Sequence, residues 1–371
     1  MRILQISSAR HFGGGERHFV DLTNGLIEGG HDIFVGSIPS SPILAELRPS
    51  VRQSSFELSS SNPLNFTKAM ALRRFVREHA IDIVHAHIAR DYPLAALVVG
   101  WDGGPGLIIT RHVLFPMSKL HRITRRRVAR VIAVSTAVAS VIQSQGIFRD
   151  DQITVVPNGV DLAKFRPRVE HAAGRLRVAI LGELTPNKGQ IEFLRAAEIV
   201  AAKIDNVDFI IAGRDKRDGD YGYQLKALID GSKFRDRIQL IESRIDVADF
   251  LSGLDVVVSA SRSEAFGLAI VEAMAAGVPV VATATAGACE IISDKETGHL
   301  VPISDVNEMA SAISLLVKNP AARQEISESA RRIVTQSFSL DRMISDTEAV
   351  YRDVLNDRRS VSDSPPRELV R

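Results

Sequence analysis

The sequence predicts an α/β protein of two domains, each a doubly wound parallel sheet with helices on both faces. Three observations lead to this prediction. Short apolar runs rich in β-branched residues alternate with longer helical patterns, as in successive βαβ units. Most of these runs are apolar on both faces, which is typical of buried parallel strands. The chain of 371 residues, 45% of them hydrophobic, is long enough for two such cores.

Eleven segments have the strand pattern, six in the first half and five in the second. They are 2–6, 32–36, 81–85, 107–110, 131–134, 153–156, 176–181, 207–212, 237–241, 255–259 and 278–282. A stretch rich in proline, glycine and charge at 157–175 has the composition of a linker. We therefore predict domains at 1–165 and 175–338.

A last amphipathic helix is predicted at 339–357, and its apolar positions include Met343, Val350, Tyr351 and Val354. The polar tail at 358–371 is expected to be disordered because it offers few apolar side chains to bury.

The composition narrows the class of protein. The single cysteine, Cys289, excludes a disulfide scaffold and suits a reducing compartment. The residues after Met1 have the pattern of a strand, and Glu272 and Pro279 interrupt the longest apolar window, 265–288. We therefore expect neither a signal peptide nor a transmembrane helix. These features predict a cytoplasmic protein whose only membrane contact would be peripheral, at the inner face.

Charge and histidine are unevenly distributed. Residues 1–170 contain 21 Lys and Arg against 14 Asp and Glu, and the remainder contains 25 against 30. Nine of the ten histidines lie at or before residue 171. This asymmetry predicts two domains with different ligands, and compositional drift is the alternative explanation.

Two features of the first half follow predicted strands, at the edge where open α/β sheets bind ligands. The loop Gly13-Gly14-Gly15-Glu16 leads into a helix, so it is either a phosphate site or a plain turn. His85 and His87 lie at the end of one strand and His112 follows the next. His85 and His87 alternate along the strand, which argues against a metal pair. For His112 we expect hydrogen bonding or charge stabilisation, with a structural histidine as the alternative.

A basic segment at 119–130 contains six Lys or Arg and no acidic residue. Such a helix is suited to an anionic membrane surface, and a solvated helix face is the alternative. No nucleic-acid motif and no interleaved aromatic residues accompany it, so nucleic acid is not an expected partner.

Two loops of the second half have the character of an anion site. Lys188 lies in Gly182–Gly189, directly before a helix, as a diphosphate clamp would. In 261–280 a loop carrying Glu264 leads into a helix near Phe266, whose first amides would point at an anion. Glu272 lies in an apolar stretch, where a carboxylate needs a partner. Carboxylates accept hydrogen bonds from sugar hydroxyls, so the loop is suited to a hexose, a diphosphate and a ribose.

In this order and spacing the motifs resemble glycosyltransferase family 4, the retaining group with the GT-B fold. The most specific feature is the Glu264-x7-Glu272 pattern with Phe266-Gly267 between. The other matching segments are 13–16, 30–35, 83–87, 110–112, 132–135, 156–161, 286–292 and 297–302.

The resemblance implies two Rossmann-like domains facing a cleft, with the last helix crossing back to the N-terminal domain. The C-terminal domain would bind a nucleotide-diphosphate sugar, UDP- or GDP-linked, and the N-terminal domain a glycan or lipid-linked acceptor. A hexose or N-acetylhexosamine would pass to a glycolipid or polysaccharide precursor with retention, and no metal or other cofactor is expected.

Carried over residue by residue, the resemblance implies catalytic roles for His112 and Glu264, and acceptor contacts for Glu16 and His87. The implied donor-binding residues are Gly14, Gly15, Lys188, Arg262, Phe266, Gly267, Leu268 and Glu272.

One position departs from the family pattern. Glu183 stands where relatives usually have an arginine that grips the diphosphate together with Lys188. Either Glu183 turns away, or Arg262 or Arg214 substitutes, or donor affinity is weaker. Because of this departure, a non-catalytic nucleotide-sugar binder remains an alternative, as do a GT-B epimerase and a phosphorylase. The missing dinucleotide fingerprint disfavours a nicotinamide oxidoreductase.

Overall fold

The computed structural model describes residues 1–53, 55–59, 66–100, 104–118, 121–165, 174–215, 219–242 and 246–362. The chain forms two compact units. The first comprises residues 1–158 and 340–371, and the second comprises 159–339. Residues 166–173 of the predicted linker lie outside the described residues, as does the tail from residue 363.

The first unit is built on a parallel sheet of seven strands. These are β1 Arg2–Ile6, β2 Asp32–Ser37, β3 Ser55–Glu57, β4 Ile83–Ala86, β5 Gly106–Arg111, β6 Val128–Ala133 and β7 Ile153–Val155. Their order in the sheet is β3-β2-β1-β4-β5-β6-β7. The order reverses at β1, so this is a doubly wound sheet with a switch point beside its first strand.

Eight α-helices belong to the described part of this unit. They are α1 Gly14–Glu28, α2 Ile43–Glu46, α3 Pro49–Gln53, α4 Phe66–Glu78, α5 Tyr92–Val99, α6 His121–Thr124, α7 Thr136–Ser144 and α15 Leu340–Ser362. The helix α1 buries one face that includes Phe19, Leu22 and Leu26. Since apolar burial is worth about 25 cal/mol per Å², this face contributes strongly to holding α1 against the sheet.

The last helix, α15, packs within the first unit although the second unit precedes it in the chain. Its four apolar positions named above are all buried in the core of this unit. A Cβ atom at Gly25 of α1 would lie 2.1 Å from Ile344 Cδ1, so a side chain there would require the tip of Ile344 to move. His31 Nε2 and Glu348 Oε1 are 3.0 Å apart across the same contact.

The second unit contains a six-stranded parallel sheet with its own helices. The strands are β8 Leu176–Leu181, β9 Val207–Ala212, β10 Ile238–Ile241, β11 Val256–Ser259, β12 Val280–Thr283 and β13 His299–Val301. The helices are α8 Gln190–Ala201, α9 Asp220–Asp230, α10 Val247–Ser252, α11 Leu268–Ala275, α12 Ala286–Ile291, α13 Val306–Lys318 and α14 Pro320–Ser337. The strand order β10-β9-β8-β11-β12-β13 repeats the doubly wound pattern of the first unit.

The predicted fold class, two doubly wound parallel sheets, is confirmed. Two strands, β3 and β13, were not predicted; each has three residues and lies at a sheet edge. Among the described residues, no helix combines the length and apolar character needed to cross a membrane.

Candidate functional site

In the second unit, the loop between β11 and α11 is fixed in place by its neighbours. The Gly287 N–H donates to the carbonyl of Glu264 at 3.1 Å, and the Thr283 hydroxyl donates to the carbonyl of Ser261. Gly267 precedes α11 with φ +111°, a conformation that favours glycine. The loop therefore presents the Glu264 side chain and the first amides of α11 from a defined backbone.

Lys188 and Glu264 form an ion pair at this loop. The Lys188 ammonium donates to Glu264 Oε1, which also accepts from the Ser261 hydroxyl at 2.8 Å. The Lys188 side chain is 30% exposed and that of Glu264 16% exposed. Residues 76 positions apart thus meet where the sequence predicted an anion site.

Gly189 explains why the loop carrying Lys188 comes so close to β11. Its φ is +71°, and a Cβ atom there would lie 2.1 Å from the carbonyl oxygen of Ala260. Any other residue would push the two loops apart. Glycine at this position therefore sets the distance between Lys188 and Glu264.

The N-terminus of α11 adds a source of positive potential. Phe266, Gly267 and Leu268 lie at the start of the helix, whose first N–H groups have no partner within it. Glu272 is half-buried in the second turn of α11. The predicted donor-binding residues of this loop thus share one helix and the turn before it.

Arg262 makes a different contact from the one expected. Its guanidinium pairs with Glu192 Oε1 of α8 at 2.5 Å, although its backbone N–H donates to the Asn187 carbonyl at 2.8 Å. In the structure its charge is matched by a carboxylate of α8. Arg214, the other substitute considered, is exposed after β9.

In the first unit, the glycine loop lies against His112. A Cβ atom on Gly15 would be 3.5 Å from the His112 ring. The carboxylate of Glu16 accepts from the Gly13 N–H at 2.9 Å and so caps the start of α1. This capping role was not predicted from sequence, and the acceptor contact proposed for Glu16 stays a prediction.

Three histidines form a cluster at this point, which we call the histidine cluster: His18, His87 and His112. The ring centroids are 4.8 Å apart for His18 and His112, 5.7 Å for His18 and His87, and 6.0 Å for His87 and His112. His18 and His87 are buried. Among the described residues, five of the six ring nitrogens have no hydrogen-bond partner, which is unusual for buried polar atoms: Nδ1 and Nε2 of His18, Nδ1 of His87, and Nδ1 and Nε2 of His112.

The sixth ring nitrogen is Nε2 of His87, and its hydrogen bond determines the tautomer of that ring. Its Nε2 lies 2.6 Å from Gln5 Oε1, an atom that can only accept, so Nε2 carries the proton and Nδ1 presents a lone pair. Gln5 Nε2 in turn donates to the Tyr351 hydroxyl of α15 at 3.1 Å. A chain of hydrogen bonds thus links the last helix to the histidine cluster.

His85 belongs to this network and not to the cluster. Its Nδ1 lies 2.7 Å from the Tyr351 hydroxyl and its Nε2 lies 2.7 Å from Thr110 Oγ1. Both of its nitrogens are therefore bonded within the fold. The expectation that His85 and His87 point apart is wrong, because residues two apart on a strand share a face, and their ring centroids lie 4.1 Å apart. The two rings differ instead in their hydrogen bonds.

Burial keeps these imidazoles neutral. It lowers the pKa of His18 to about 4, and the neighbouring Asn158 side chain opposes this shift. Burial, reinforced by the neighbouring histidines, lowers the pKa values of His85, His87 and His112 well below the ordinary value. Neutral rings both donate and accept hydrogen bonds, which suits them to hydroxyl ligands.

The histidine cluster is also the group that could hold a metal ion. Each ring offers one nitrogen within 4.8 Å of the others, and among the described residues no carboxylate or thiol joins them. A metal ion with zinc-like metal–nitrogen bonds of about 2.1 Å requires ligand nitrogens within about 4.2 Å of each other. This limit is shorter than the 4.8 Å within which the three nitrogens lie. The sequence had suggested His85 and His87 as the pair to consider, and His18 was not singled out.

Family profiles match nearly the whole chain in two parts. The profile described as "Glycosyltransferase Family 4" matches residues 12–164. The profile described as "Glycosyl transferases group 1" matches residues 163–333. The junction between the two profiles falls close to the boundary between the two units.

Curated relatives and solved structures agree with the profiles. The lipopolysaccharide core biosynthesis mannosyltransferase LpcC of Rhizobium leguminosarum bv. viciae is 32% identical over 60% of this chain and 66% of the relative. The phosphatidylinositol N-acetylglucosaminyltransferase GPI3 subunit of Saccharomyces cerevisiae is 25% identical over 70% of this chain and 61% of the relative. The chain thus spans slightly less than two thirds of the length of these relatives.

Two crystal structures share the fold across nearly their full length. A glycosyltransferase from Rickettsia africae ESF-5 superposes with a TM-score of 0.86 at 23% identity, covering 96% of this chain and 99% of that one. Anabaena Alr3699/HepE in complex with UDP superposes with a TM-score of 0.83 at 20% identity, covering 95% and 100%. These two structures show the shared fold. The two profiles, which together match residues 12–333, and the 32% identical LpcC show that the chain belongs to the group 1 glycosyltransferases of family 4.

Proposed function

We propose that this protein is a retaining glycosyltransferase that needs no metal ion. It transfers a hexose or N-acetylhexosamine from a UDP- or GDP-sugar to a glycolipid or polysaccharide-precursor acceptor at the cytoplasmic side of a membrane. The observation that carries the proposal is the ion pair of Lys188 and Glu264 beside the first turn of α11.

The charges of the second unit support a donor site. A nucleoside diphosphate carries negative charge, which Lys188 and the first amides of α11 would neutralise. Glu264 would accept hydrogen bonds from the hexose, and Glu272 from the ribose. The partly exposed pairing of Glu264 with Ser261 and Lys188 would fix its orientation before any ligand binds.

The neutral rings of the first unit support a role in binding hydroxyl groups. His112 would act on the transferred sugar and His87 on the acceptor, with Gly14 and Gly15 leaving room for a ligand beside His112. The nitrogens of these rings other than His87 Nε2 are buried without a hydrogen-bond partner, and hydroxyl groups of bound substrates would supply the missing partners. A lone pair on His87 Nδ1 is an acceptor for an alcohol proton.

The reaction itself exchanges one bond at the anomeric carbon. The bond to the diphosphate oxygen breaks while the bond from the acceptor hydroxyl forms on the same face. The hydroxyl proton passes to the departing diphosphate. The leaving charge is the main energetic obstacle, and preorganised donors aimed at such a charge are worth roughly 3–4 kcal/mol each in enzymes.

The relatives support the substrate classes. One is named as a mannosyltransferase of lipopolysaccharide core biosynthesis, and another for transfer of N-acetylglucosamine to phosphatidylinositol. The HepE protein of the same fold was crystallised with UDP-glucose. A hexose or N-acetylhexosamine donor and a lipid-linked acceptor are the features that these names share.

Donor binding is the direct test. We expect one family of UDP-, GDP- or ADP-sugars to raise the unfolding temperature in EDTA, because a ligand well above its Kd stabilises by a few kcal/mol. Release of nucleoside diphosphate should then require an acceptor and persist in EDTA. No stabilisation by any nucleotide sugar would contradict the proposal and would point to Glu183 as a loss of the diphosphate clamp. Binding without release would favour a non-catalytic binder.

A further inference from the structure

The segment directly after His112 presents apolar side chains to solvent. Phe115 is 77% exposed and Val113 is also exposed. The short helix α6 presents Ile123, which is likewise 77% exposed. Large apolar side chains this open are unusual when they are neighbours, and they mark interaction surfaces.

Their exposure is built into the fold. The Arg111 guanidinium donates to the carbonyl of Phe115, and the backbone of Met117 exchanges two hydrogen bonds with Gln145, at 3.0 and 2.9 Å. Met117 itself is buried. The loop is therefore anchored on both sides of Phe115, which turns that ring outward.

A hydrogen bond links the end of this loop to the start of α6. The His121 N–H donates to the Ser118 carbonyl at 3.0 Å, and the buried His121 ring packs edge-on against Tyr92 at 5.6 Å between centroids. The apolar loop and Ile123 therefore lie on neighbouring anchored segments. The sequence-based segment 119–130 overlaps this region, and its residues 119 and 120 lie outside the described residues.

Exposed arginines flank Ile123 in the sequence. Arg122, Arg125 and Arg126 are exposed, and within the described part of the chain none of the three pairs with a carboxylate. No Asp or Glu occurs anywhere between residues 103 and 149. This surface therefore combines unopposed positive charge with apolar anchors, the combination that binds anionic bilayers.

We propose that this basic–apolar surface, formed by Val113, Phe115, Arg122, Ile123, Arg125 and Arg126, docks the protein on an anionic lipid bilayer. The arginines contact the lipid headgroups, and the Phe115 and Ile123 side chains insert to the depth of the headgroups. Since Val113 directly follows His112, docking brings the headgroup region next to the histidine cluster. The inference deepens the proposed function by specifying an acceptor that stays in the membrane. Only this statement about the acceptor rests on the proposed function.

Vesicle flotation tests the surface without donor or acceptor, so its result does not depend on glycosyl transfer. The probes are vesicles of phosphatidylcholine alone and of phosphatidylcholine with phosphatidylglycerol. We expect flotation only with the anionic vesicles, weakening as salt rises. An Arg122→Gln, Arg125→Gln, Arg126→Gln triple variant should bind about 100-fold more weakly, because each basic residue near an anionic surface contributes about a factor of five.

The apolar anchors have a matched control. Phe115→Ser should lower the affinity for anionic vesicles about tenfold, whereas Tyr223→Ser, at an aromatic ring 73% exposed in the second unit, should not. Unfolding temperatures of all variants verify that they fold.

Three results would overturn the proposal: equal flotation with neutral vesicles, equal binding by the triple variant, or equal losses for Phe115→Ser and Tyr223→Ser. Retention by single-stranded RNA without flotation would do so as well. Loss of flotation with intact nucleotide-sugar binding would separate failure of this surface from failure of the proposed function.

Discussion

The two units share one strand order but carry opposite chemistry at the carboxyl ends of their strands. In the first unit the histidine cluster is neutral and largely buried. In the second, Lys188 and Glu264 remain partly exposed and form an ion pair. The comparison shows that one strand order can present either neutral or charged side chains at the carboxyl ends of its strands, and that burial decides between them.

The difference follows from desolvation. Burial away from water destabilises the protonated form of an imidazole, so these rings are neutral and each has a nitrogen lone pair that can accept a hydrogen bond. At the start of α11 solvent and a helix N-terminus are both present, so charges persist there. Each of the following changes tests one side of this contrast.

Removing a catalytic side chain from either unit should give the largest effect. We expect Glu264→Ala and His112→Ala each to lower turnover about 100- to 1000-fold, the usual result of losing one preorganised group at a developing charge. Steady-state kinetics measures the loss, and unfolding temperature verifies the fold. Glu325→Ala, at an exposed position of α14, is the control. Near-normal rates in both variants would show that these sites are assigned wrongly.

Acid should destabilise the first unit through its histidines. The pKa of His18 is about 4 when folded and 6.5 in the reference state, so the unfolded chain binds the proton more tightly. Stability is therefore complete above pH 6.5 and falls by about 3 kcal/mol as pH drops towards 4. Urea unfolding at several pH values measures this fall, which should be smaller in His18→Phe. Parallel curves for the two proteins would contradict the assignment.

Loss of the cation in the second unit should weaken donor binding. Lys188→Ala removes a charge-assisted hydrogen bond worth about 1.5–3 kcal/mol, so we expect the donor Kd to rise about 10- to 100-fold. Calorimetric titration with the preferred nucleotide sugar measures it. Lys226→Ala, which breaks an exposed pair with Asp230 on α9, should leave donor affinity unchanged. Equal affinity in the two variants would place the diphosphate clamp elsewhere.

The smallest expected effect tests whether Tyr351 positions His87 or only stabilises the first unit. Tyr351→Phe interrupts the hydrogen-bond chain to Gln5 and His87, and we expect about 1–2 kcal/mol lower stability and up to tenfold lower turnover. Tyr92→Phe removes a similar buried bond, from its hydroxyl to the Thr110 carbonyl at 2.6 Å. The control variant Tyr92→Phe should lose stability without losing turnover. If both variants lost turnover equally, Tyr351 would have no special role in positioning His87.

The sequence predicted the long, doubly buried strands because apolar runs on both faces are distinctive. The edge strands β3 and β13 were not predicted because each mixes polar and apolar residues over only three positions. The equally short edge strand β7 was predicted because all three of its residues are β-branched. The buried positions of α15 were predicted from their spacing. The close fit of that helix to α1 at Gly25 was not, since it depends on a distant side chain.

The candidate site was predicted unevenly for a similar reason. Lys188 and Glu264 lie in loops with recognisable motifs, so the sequence singled out both. His18 lies in the middle of α1, where a buried histidine resembles an ordinary core residue until His87 and His112 are placed beside it. The pairing of Arg262 with Glu192 and the capping role of Glu16 both depend on side-chain directions that spacing does not specify.

The position of α15 has a consequence for biosynthesis. A ribosome releases the first sheet, then the whole second unit, and only afterwards the helix that fills the groove beside Gly25 and supplies the Tyr351 hydroxyl. Domains generally fold in the order in which they emerge. The first unit must therefore wait, with its core open, until the second has been synthesised. A nascent chain that ends before Leu340 contains every residue of the second unit and of the histidine cluster, but it lacks the Tyr351 hydroxyl to which Gln5 donates.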